Sequence, residues 1–223
     1  MPDREDGSLT RWQRFVVGGV ALILAAAAVI MVVFSLQRPS VQEYLPTAAR
    51  PAPVGDSVIG PTIYTVDASS SSEWIFFDFS RRAVVEDPAP AEWDLAFQRF
   101  YIVANGGEGF AGRGGLQDLG AVPFDSVEVA PREGYVASEA RRDTTNAATA
   151  EWYDYSFTSH LLTPRPRTYA VRTADGRYAK LEIVGYYCPG ARPGCLTFRY
   201  VYQGDGTRRV VGGSQASYSA GPS

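Results

Sequence analysis

The chain has 223 residues, of which 45% are hydrophobic and 20% are charged, and its formal net charge is −3. A chain of this length and composition can bury one substantial core, so we expect one folded domain with appended segments. The near balance of acidic and basic residues excludes the broad positive surface typical of nucleic-acid-binding proteins, so no nucleic-acid partner is predicted.

Residues 15–36 form an uninterrupted apolar segment, FVVGGVALILAAAAVIMVVFSL, without a charge or a proline. As a helix it would be about 33 Å long, enough to span the ~30 Å hydrocarbon core of a bilayer. A cleavable signal peptide is the alternative, but its apolar region usually runs ~7 to 15 residues and ends at small residues. Here the segment continues into Gln37-Arg38-Pro39. We therefore predict an uncleaved transmembrane anchor, and the arginines of the tail 1–14 favour a cytoplasmic N-terminus.

The segment after the anchor, residues 37–61, is rich in proline and in small polar residues. Its prolines are Pro39, Pro46, Pro51, Pro53 and Pro61. This composition favours extended, polyproline-like backbone. We predict a linker that acts as a spacer or lies as a strap along a partner. At the other end, residues 212–223 are rich in Gly, Ser and Ala without an apolar pattern, and we predict a flexible tail there.

The region 62–211 carries short runs in which apolar and polar residues alternate, the pattern of strands with one buried face. The predicted strands are 62–66, 74–79, 93–104, 124–129, 168–173, 178–184 and 196–203. Asp175-Gly176 provides a hairpin turn, and the last three strands should form an antiparallel meander. The segment Ser138–Glu151 is compatible with a short helix or with a loop. The predicted fold class is all-β, mainly antiparallel and sandwich-like, in an extracytoplasmic domain with one N-terminal transmembrane helix.

Cys188 and Cys195 are the only cysteines, and Pro-Gly-Ala-Arg-Pro-Gly lies between them. This turn-rich sequence would bring the two thiols together at the end of a hairpin, which favours a disulfide. A metal site is the alternative, although two cysteines without neighbouring histidines make a poor zinc site. Because disulfides persist in oxidising compartments, the globular part should lie in the periplasm or outside the cell.

Few residues suit catalysis or metal binding. Residues 107–112 match the Gly-x-Gly-x-x-Gly dinucleotide motif, but no amphipathic helix follows to hold a pyrophosphate at its N-terminus. His160 is the sole histidine, and no Gly-x-Ser-x-Gly elbow accompanies it. A lone histidine is either a structural side chain or a ligand. We therefore predict no enzymatic activity, no catalytic residue and no metal site.

Three motifs occur in order along the chain: WDLAFQRFYIVANGG at 93–107, RTADGRYAKLEIVGYY at 172–187 and TFRYVYQ at 197–203. Together they resemble the HmuY family of bacterial haem-binding proteins, over roughly residues 74–203. The resemblance implies a predominantly antiparallel β-domain, and it implies that the residues matching its first motif belong to the scaffold. These residues are Trp93, Asp94, Phe97, Arg99, Asn105 and Gly106.

The resemblance also raises the question of haem. Family members resembling this chain hold the iron through a pair of histidines or a pair of methionines. This chain has His160 alone, and its methionines are Met1 and Met31, in the tail and the anchor. Since its cysteines are predicted to be oxidised, the usual pair of axial ligands is missing. We therefore predict no cofactor; haem held by His160, a tyrosine or apolar stacking is the alternative.

Three hypotheses of function follow. The first is a non-enzymatic accessory subunit with a periplasmic domain, which is anchored in the lipid bilayer of a bacterial inner membrane through residues 15–36 and docks on an integral membrane protein complex. Photosynthetic and respiratory electron-transfer complexes are the candidates, and the small residues near Gly18 and Gly19 would allow close helix packing. The second hypothesis is a tethered haem- or tetrapyrrole-binding protein that uses His160 or a tyrosine. The third is a protein that binds a small ligand or a peptide at exposed sheet edges.

Overall fold

The structure is a computed structural model that describes residues 10–36, 40–139 and 145–212. The chain divides into two units. One contains the N-terminal helix together with residues 157–159, and the other runs from Val41 to Ser156 and from His160 onward. We call the second unit the β-domain. Apart from Gly212, the predicted tail 212–223 lies outside the described residues.

The first unit holds helix α1, Arg11–Leu36. Thr10 and Gln13 form a capping box at its start, in which the Gln13 N–H donates to Thr10 Oγ1 at 3.4 Å and the Thr10 N–H donates to Gln13 Oε1 at 2.8 Å. The span Arg11–Val33 is long and apolar enough to cross a membrane by length and composition. The helix therefore agrees with the predicted anchor, although it begins at Arg11 rather than Phe15.

The β-domain contains two antiparallel sheets and a small hairpin. The strands are β1 (Val58–Asp67), β2 (Ile75–Asp78), β3 (Ala83–Val85), β4 (Leu95–Gln98), β5 (Tyr101–Ala104), β6 (Gly115–Asp118), β7 (Tyr153–Tyr155), β8 (Leu162–Pro164), β9 (Thr168–Arg172), β10 (Tyr178–Cys188) and β11 (Arg192–Gln203). One sheet has the order β1-β11-β10-β9-β6, the other has the order β3-β2-β4-β5, and β7 pairs with β8. The named strand pairs are antiparallel, which confirms the predicted fold class.

Aromatic side chains from both sheets form the main core. Phe77 of β2 lies edge-on to Phe198 of β11, with ring centroids 5.2 Å apart, and Phe97 of β4 stacks on Phe198 at 5.6 Å. Phe79 and Tyr200 extend this contact at 5.2 Å. Offset and edge-to-face pairs of this kind are favourable beyond the area that they bury. The predicted meander is confirmed, because β9, β10 and β11 pair in sequence.

The predicted strand 93–104 is wrong, because it is a hairpin of β4 and β5. Gln98 pairs with Tyr101, and Arg99 adopts φ 55° in the two-residue turn between them. A single strand would place Phe97 and Tyr101 on one face, whereas the hairpin reverses the alternation, so that Phe97 shares its face with Ile102. The turn contains no glycine, asparagine or aspartate, which is why the sequence did not reveal it.

The predicted strand 124–129 is also wrong. Phe124–Ser126 form a short 3-10 helix after Pro123, and Phe124 is buried between two cations. Lys180 Nζ lies 4.4 Å from its ring centroid and Arg199 Cζ lies 4.1 Å from it. Lys180 also donates to the carbonyl oxygens of Phe124 and Val127, at 2.8 and 2.7 Å. The paired hydrogen bonds favour the turn over an extended strand.

Other differences concern short elements. The strands β3, β6, β7 and β8 have three or four residues each and were not predicted. Within Ser138–Glu151, Ala147–Thr149 form a 3-10 helix, while residues 140–144 lie outside the described part of the chain. Such short elements have too few residues to show a periodic pattern.

Candidate functional site

Asp94, from the first motif, joins three parts of the β-domain. Its carboxylate oxygens accept from the Phe79 N–H and the Ala174 N–H, both at 2.8 Å. These bonds connect the end of β2, which belongs to the four-stranded sheet, to the turn between β9 and β10, which belong to the five-stranded sheet. Burial, followed by the nearby charge of Asp78, raises the pKa of Asp94 to about 8. The residue is bonded to backbone, as a scaffold residue would be.

Asn105 and Gly106 hold the glycine-rich loop. The Asn105 amide donates to the carbonyl oxygens of Pro90 and Trp93, at 2.9 and 2.8 Å, and its Oδ1 accepts from the Gly112 N–H at 3.0 Å. A Cβ on Gly106 would lie 2.0 Å from the Gly114 carbonyl oxygen, so only glycine fits. The loop 107–112 thus closes on its own strand, and the next element after it is strand β6.

The remaining motif residues are also packed or bonded within the domain. Phe97 lies in the main core, and Trp93 packs against Phe76 on the outer face of the smaller sheet, with centroids 5.1 Å apart. Arg99 donates from its backbone N–H to the Ala68 carbonyl at 2.7 Å and from Nη1 to the Ser69 carbonyl at 3.1 Å. These contacts support the implied scaffold role.

His160 lies in the loop between β7 and β8, exposed and with φ 57°. Its Nδ1 is 2.6 Å from the Tyr155 hydroxyl. When the tyrosine oxygen accepts from Nδ1–H, Nε2 is the nitrogen left for a metal, the usual arrangement in metal-bound histidine. Among the described residues, however, no group of three or more His, Cys, Asp or Glu side chains could hold a metal ion.

Cys188 and Cys195 form the predicted disulfide, with Cα atoms 4.9 Å apart. Both residues are buried at the end of the β10–β11 hairpin. A disulfide offers no thiolate to iron or zinc, so the cysteines are not metal donors in this state. The pairing agrees with a domain in an oxidising compartment.

The segment 41–57, which we call the strap, lies along the β-domain. The Glu43 carboxylate accepts from the Gly190 and Ala191 N–H groups at 3.0 and 2.8 Å, in the turn that the disulfide closes. The Tyr44 N–H donates to the Tyr187 carbonyl at 2.8 Å. Further bonds join the strap to β1 and to the β2–β3 turn. Much of the predicted linker 37–61 therefore contacts its own domain, and β1 begins inside that range.

Sequence reasoning missed this contact, although one signal was present. Gly185 interrupts strand β10, and the Tyr44 ring occupies the space where a side chain would stand. A Cβ there would lie 2.2 Å from Tyr44 Cε2. Glycine inside a strand often marks such a close approach, but the sequence alone does not name the approaching residue.

Two open grooves mark the surface of the β-domain. One, of about 510 Å³, lies between the strap and β1 and includes Arg50 and Arg82. The other, of about 570 Å³, lies where β2 begins and β3 ends. His160 lines neither groove.

Known proteins were compared with this chain at the levels of sequence and fold. The model of the family described as HmuY protein matches residues 70–200, more than half of the chain. None of the curated proteins matches it. An apo HmuY analog from Tannerella forsythia has a TM-score of 0.50 at 15% identity, and the match covers 66% of this chain and 97% of that one.

Two further solved structures are similar. A candidate HmuY-like heme binding protein from Bacteroides vulgatus ATCC 8482 has 18% identity and a TM-score of 0.49, covering 70% of this chain and 97% of its own. A candidate lipoprotein from Bacteroides fragilis NCTC 9343 has 16% identity and a TM-score of 0.49, covering 69% and 95%. The matched range of the family model contains all six scaffold residues and both cysteines. The chain belongs to the HmuY family.

Proposed function

We propose that this chain is a non-enzymatic, membrane-anchored subunit whose HmuY-type domain docks on a larger integral membrane protein complex. Helix α1 anchors it in a bacterial inner membrane with the N-terminus in the cytoplasm and the β-domain in the periplasm. The disulfide supports the oxidising location. The observation that carries the proposal is the strap, because it keeps the tether short.

The tether between anchor and domain is limited by chain length. Helix α1 ends at Leu36, and Glu43 is already bonded to the β10–β11 turn. Because an extended chain rises about 3.3–3.6 Å per residue, the intervening backbone reaches at most about 25 Å. This limit holds for any arrangement of the two units. A domain tethered so closely meets the extramembrane surfaces of membrane proteins more readily than soluble partners.

The available donors favour docking over haem carriage. Iron held by two protein side chains of the family's usual kind needs a pair of His or Met donors. The sequence supplies His160 alone to the β-domain, and both cysteines are in the disulfide. These residues do not fit a haem with two such axial ligands.

The anchor supports a membrane partner. Gly18 and Gly19 lie in α1 with open space where their side chains would be. Small residues at one place on a transmembrane helix allow a second helix to approach closely. Photosynthetic and respiratory electron-transfer complexes are the candidates, because they collect single-span accessory subunits.

Extraction of the tagged full chain in mild detergent tests the proposal. We expect the protein to co-purify in defined proportion with the subunits of one membrane complex. Gly18→Leu with Gly19→Leu should weaken this recovery, whereas Leu24→Phe, which adds bulk on the opposite helix face, should not. Recovery of the wild-type chain as a monomer without other subunits would refute the proposal.

One observation favours haem binding as a second candidate, namely the contact between the Tyr155 hydroxyl and Nδ1 of His160, since Nε2 is left for a metal when Nδ1–H donates to that hydroxyl. Titration of the full chain with haem distinguishes the candidates. A shifted Soret band that is lost in His160→Ala would support haem binding. A spectrum identical to that of free haem would exclude it.

A further inference from the structure

We infer that the groove at the start of β2 and the end of β3 binds a basic segment of the membrane partner, in which an aromatic or aliphatic side chain lies among lysines or arginines. This inference deepens the proposed function and rests on it. We call the site the aromatic groove. Its principal residues are Trp74, Phe76 and Val85, with Glu73, Glu86 and Asp87 at the rim.

The groove belongs to the outer face of the smaller sheet. Phe76 pairs with Val85 of β3 and with Ala96 of β4, and all three face away from the core between the sheets. Phe76 continues this apolar surface by packing on Trp93. The outer face is thus a second apolar cluster, separate from the main core.

Within the described part of the chain, one end of this cluster is covered and the other is open. Phe110, from the glycine-rich loop, packs edge-on against Trp93 with centroids 5.7 Å apart. At the other end, Trp74 and Phe76 remain partly exposed and border a groove of about 570 Å³. An open apolar groove with aromatic walls can take a partner's side chain in the way that Phe110 occupies the covered end.

The negative charge at the rim of the aromatic groove favours a positively charged partner segment. The antiparallel register of Phe76 and Val85 brings the entry to β2 beside the exit from β3, so Glu73 flanks the groove together with Glu86 and Asp87. All three acids are exposed, and within the described ranges no ion pair is recorded for any of them. By contrast, the nearby Glu92 lies 3.6 Å from Arg81.

Unneutralised carboxylates around an aromatic surface attract a cation. A lysine or arginine of the partner would lie near the acids and over the Trp74 indole, where a cation–π contact adds to the ionic attraction. The adjacent apolar side chain would enter the groove. An acidic segment would be repelled, and a basic segment without an apolar side chain would leave the groove unfilled.

The test uses dye-labelled peptides and fluorescence anisotropy with the full chain in a neutral detergent. The probes are KFKLKFK, EFELEFE and KSKSKSK. We expect KFKLKFK to bind at least tenfold more tightly than the other two. Glu73→Gln with Glu86→Gln should weaken its binding at least threefold, because each exposed charge contributes modestly. Glu133→Gln, at an exposed acid of another loop, should leave it unchanged.

Equal binding of all three peptides, or unchanged binding to the double variant, would overturn the inference. So would concentration-dependent self-association of the chain that is lost in the double variant, since the groove would then hold a second copy. Co-purification separates this inference from the proposed function. If wild type and double variant recover the membrane complex equally, the groove inference fails alone; if neither recovers it, the proposed function fails.

Discussion

Gly185→Ala should release the strap while leaving the two sheets folded. The new Cβ would lie 2.2 Å from Tyr44 Cε2 and 2.5 Å from Cδ2, distances at which atoms overlap. Strand β10 is paired with β9 as far as Glu182 and with β11 at Gly185 itself, whereas Tyr44 lies in an irregular segment. The tyrosine ring should therefore move, and the strap should open with it.

The free-energy cost of displacing Tyr44 can be worked out from two contacts. Displacement of Tyr44 removes its backbone hydrogen bond to the Tyr187 carbonyl at 2.8 Å, worth about 1 kcal/mol. It also exposes about half of the ring, or ~50 Å² of apolar surface, worth about 1 kcal/mol at ~25 cal/mol per Å². Opening should thus become easier by about 2 kcal/mol, which is roughly a 30-fold increase in the exchange of the protected strap amides.

Hydrogen exchange measured by mass spectrometry on the full chain in detergent tests this. Tyr44→Ala should accelerate exchange at Thr47 as much as Gly185→Ala does, and the double variant should exchange no faster than either, because both changes remove one contact. Tyr44→Phe keeps the ring and should stay near wild type. Additive effects in the double variant, or equal loss of protection in β10 and β11, would show that the strap does not depend on this contact.

Three further predictions concern stability, each read from the midpoint of urea unfolding. Burial raises the pKa of Asp94 to about 8, so the folded state binds the Asp94 proton more tightly than the unfolded state does. The stability that this proton contributes is complete below pH ~4 and declines as the pH rises towards 8. The midpoint should therefore be lower at pH 8 than at pH 5, and Asp94→Asn should reduce this difference. Reduction of the disulfide at Cys188 should cost about 2.5 kcal/mol on the chain-entropy model, given the short loop. Lys180→Met should cost about 2–4 kcal/mol, because it leaves the buried carbonyls of Phe124 and Val127 without their donor.

Local signals made part of the fold predictable. The β9–β10 turn contains Asp175-Gly176, and Gly176 has φ 88°, a conformation that glycine adopts without strain. The strands on either side alternate cleanly, so the meander follows from neighbouring residues. The turn at Arg99 uses the same left-handed region without a glycine. Its conformation is enforced by bonds to Ala68 and Ser69, which only the folded chain brings near.

The strap illustrates what sequence patterns cannot supply. Tyr44 and Val184, which meet through the tyrosine hydroxyl at 3.5 Å, are 140 residues apart along the chain. The proline content of 41–57 predicts extended backbone, and such backbone is equally compatible with a free spacer and with a bonded strap. The choice depends on the Gly190 and Ala191 N–H groups, which lie in the turn between β10 and β11 and donate to the Glu43 carboxylate.

The bonded residues of the family motif, Asp94 and Asn105, are not among the residues that line the proposed surfaces, although Trp93 of the same motif packs on Phe76 beside the groove. Asp94 and Asn105 bond to backbone groups from other strands and loops, so their role is to hold the two sheets and the glycine-rich loop in place. Residues that hold the fold together do not by themselves specify what the domain binds. The docking proposal rests instead on the strap at Glu43 and on the groove beside Trp74, which lie outside that motif. Function in this chain therefore has to be tested at those surfaces, where changing a side chain leaves the bonds between the sheets intact.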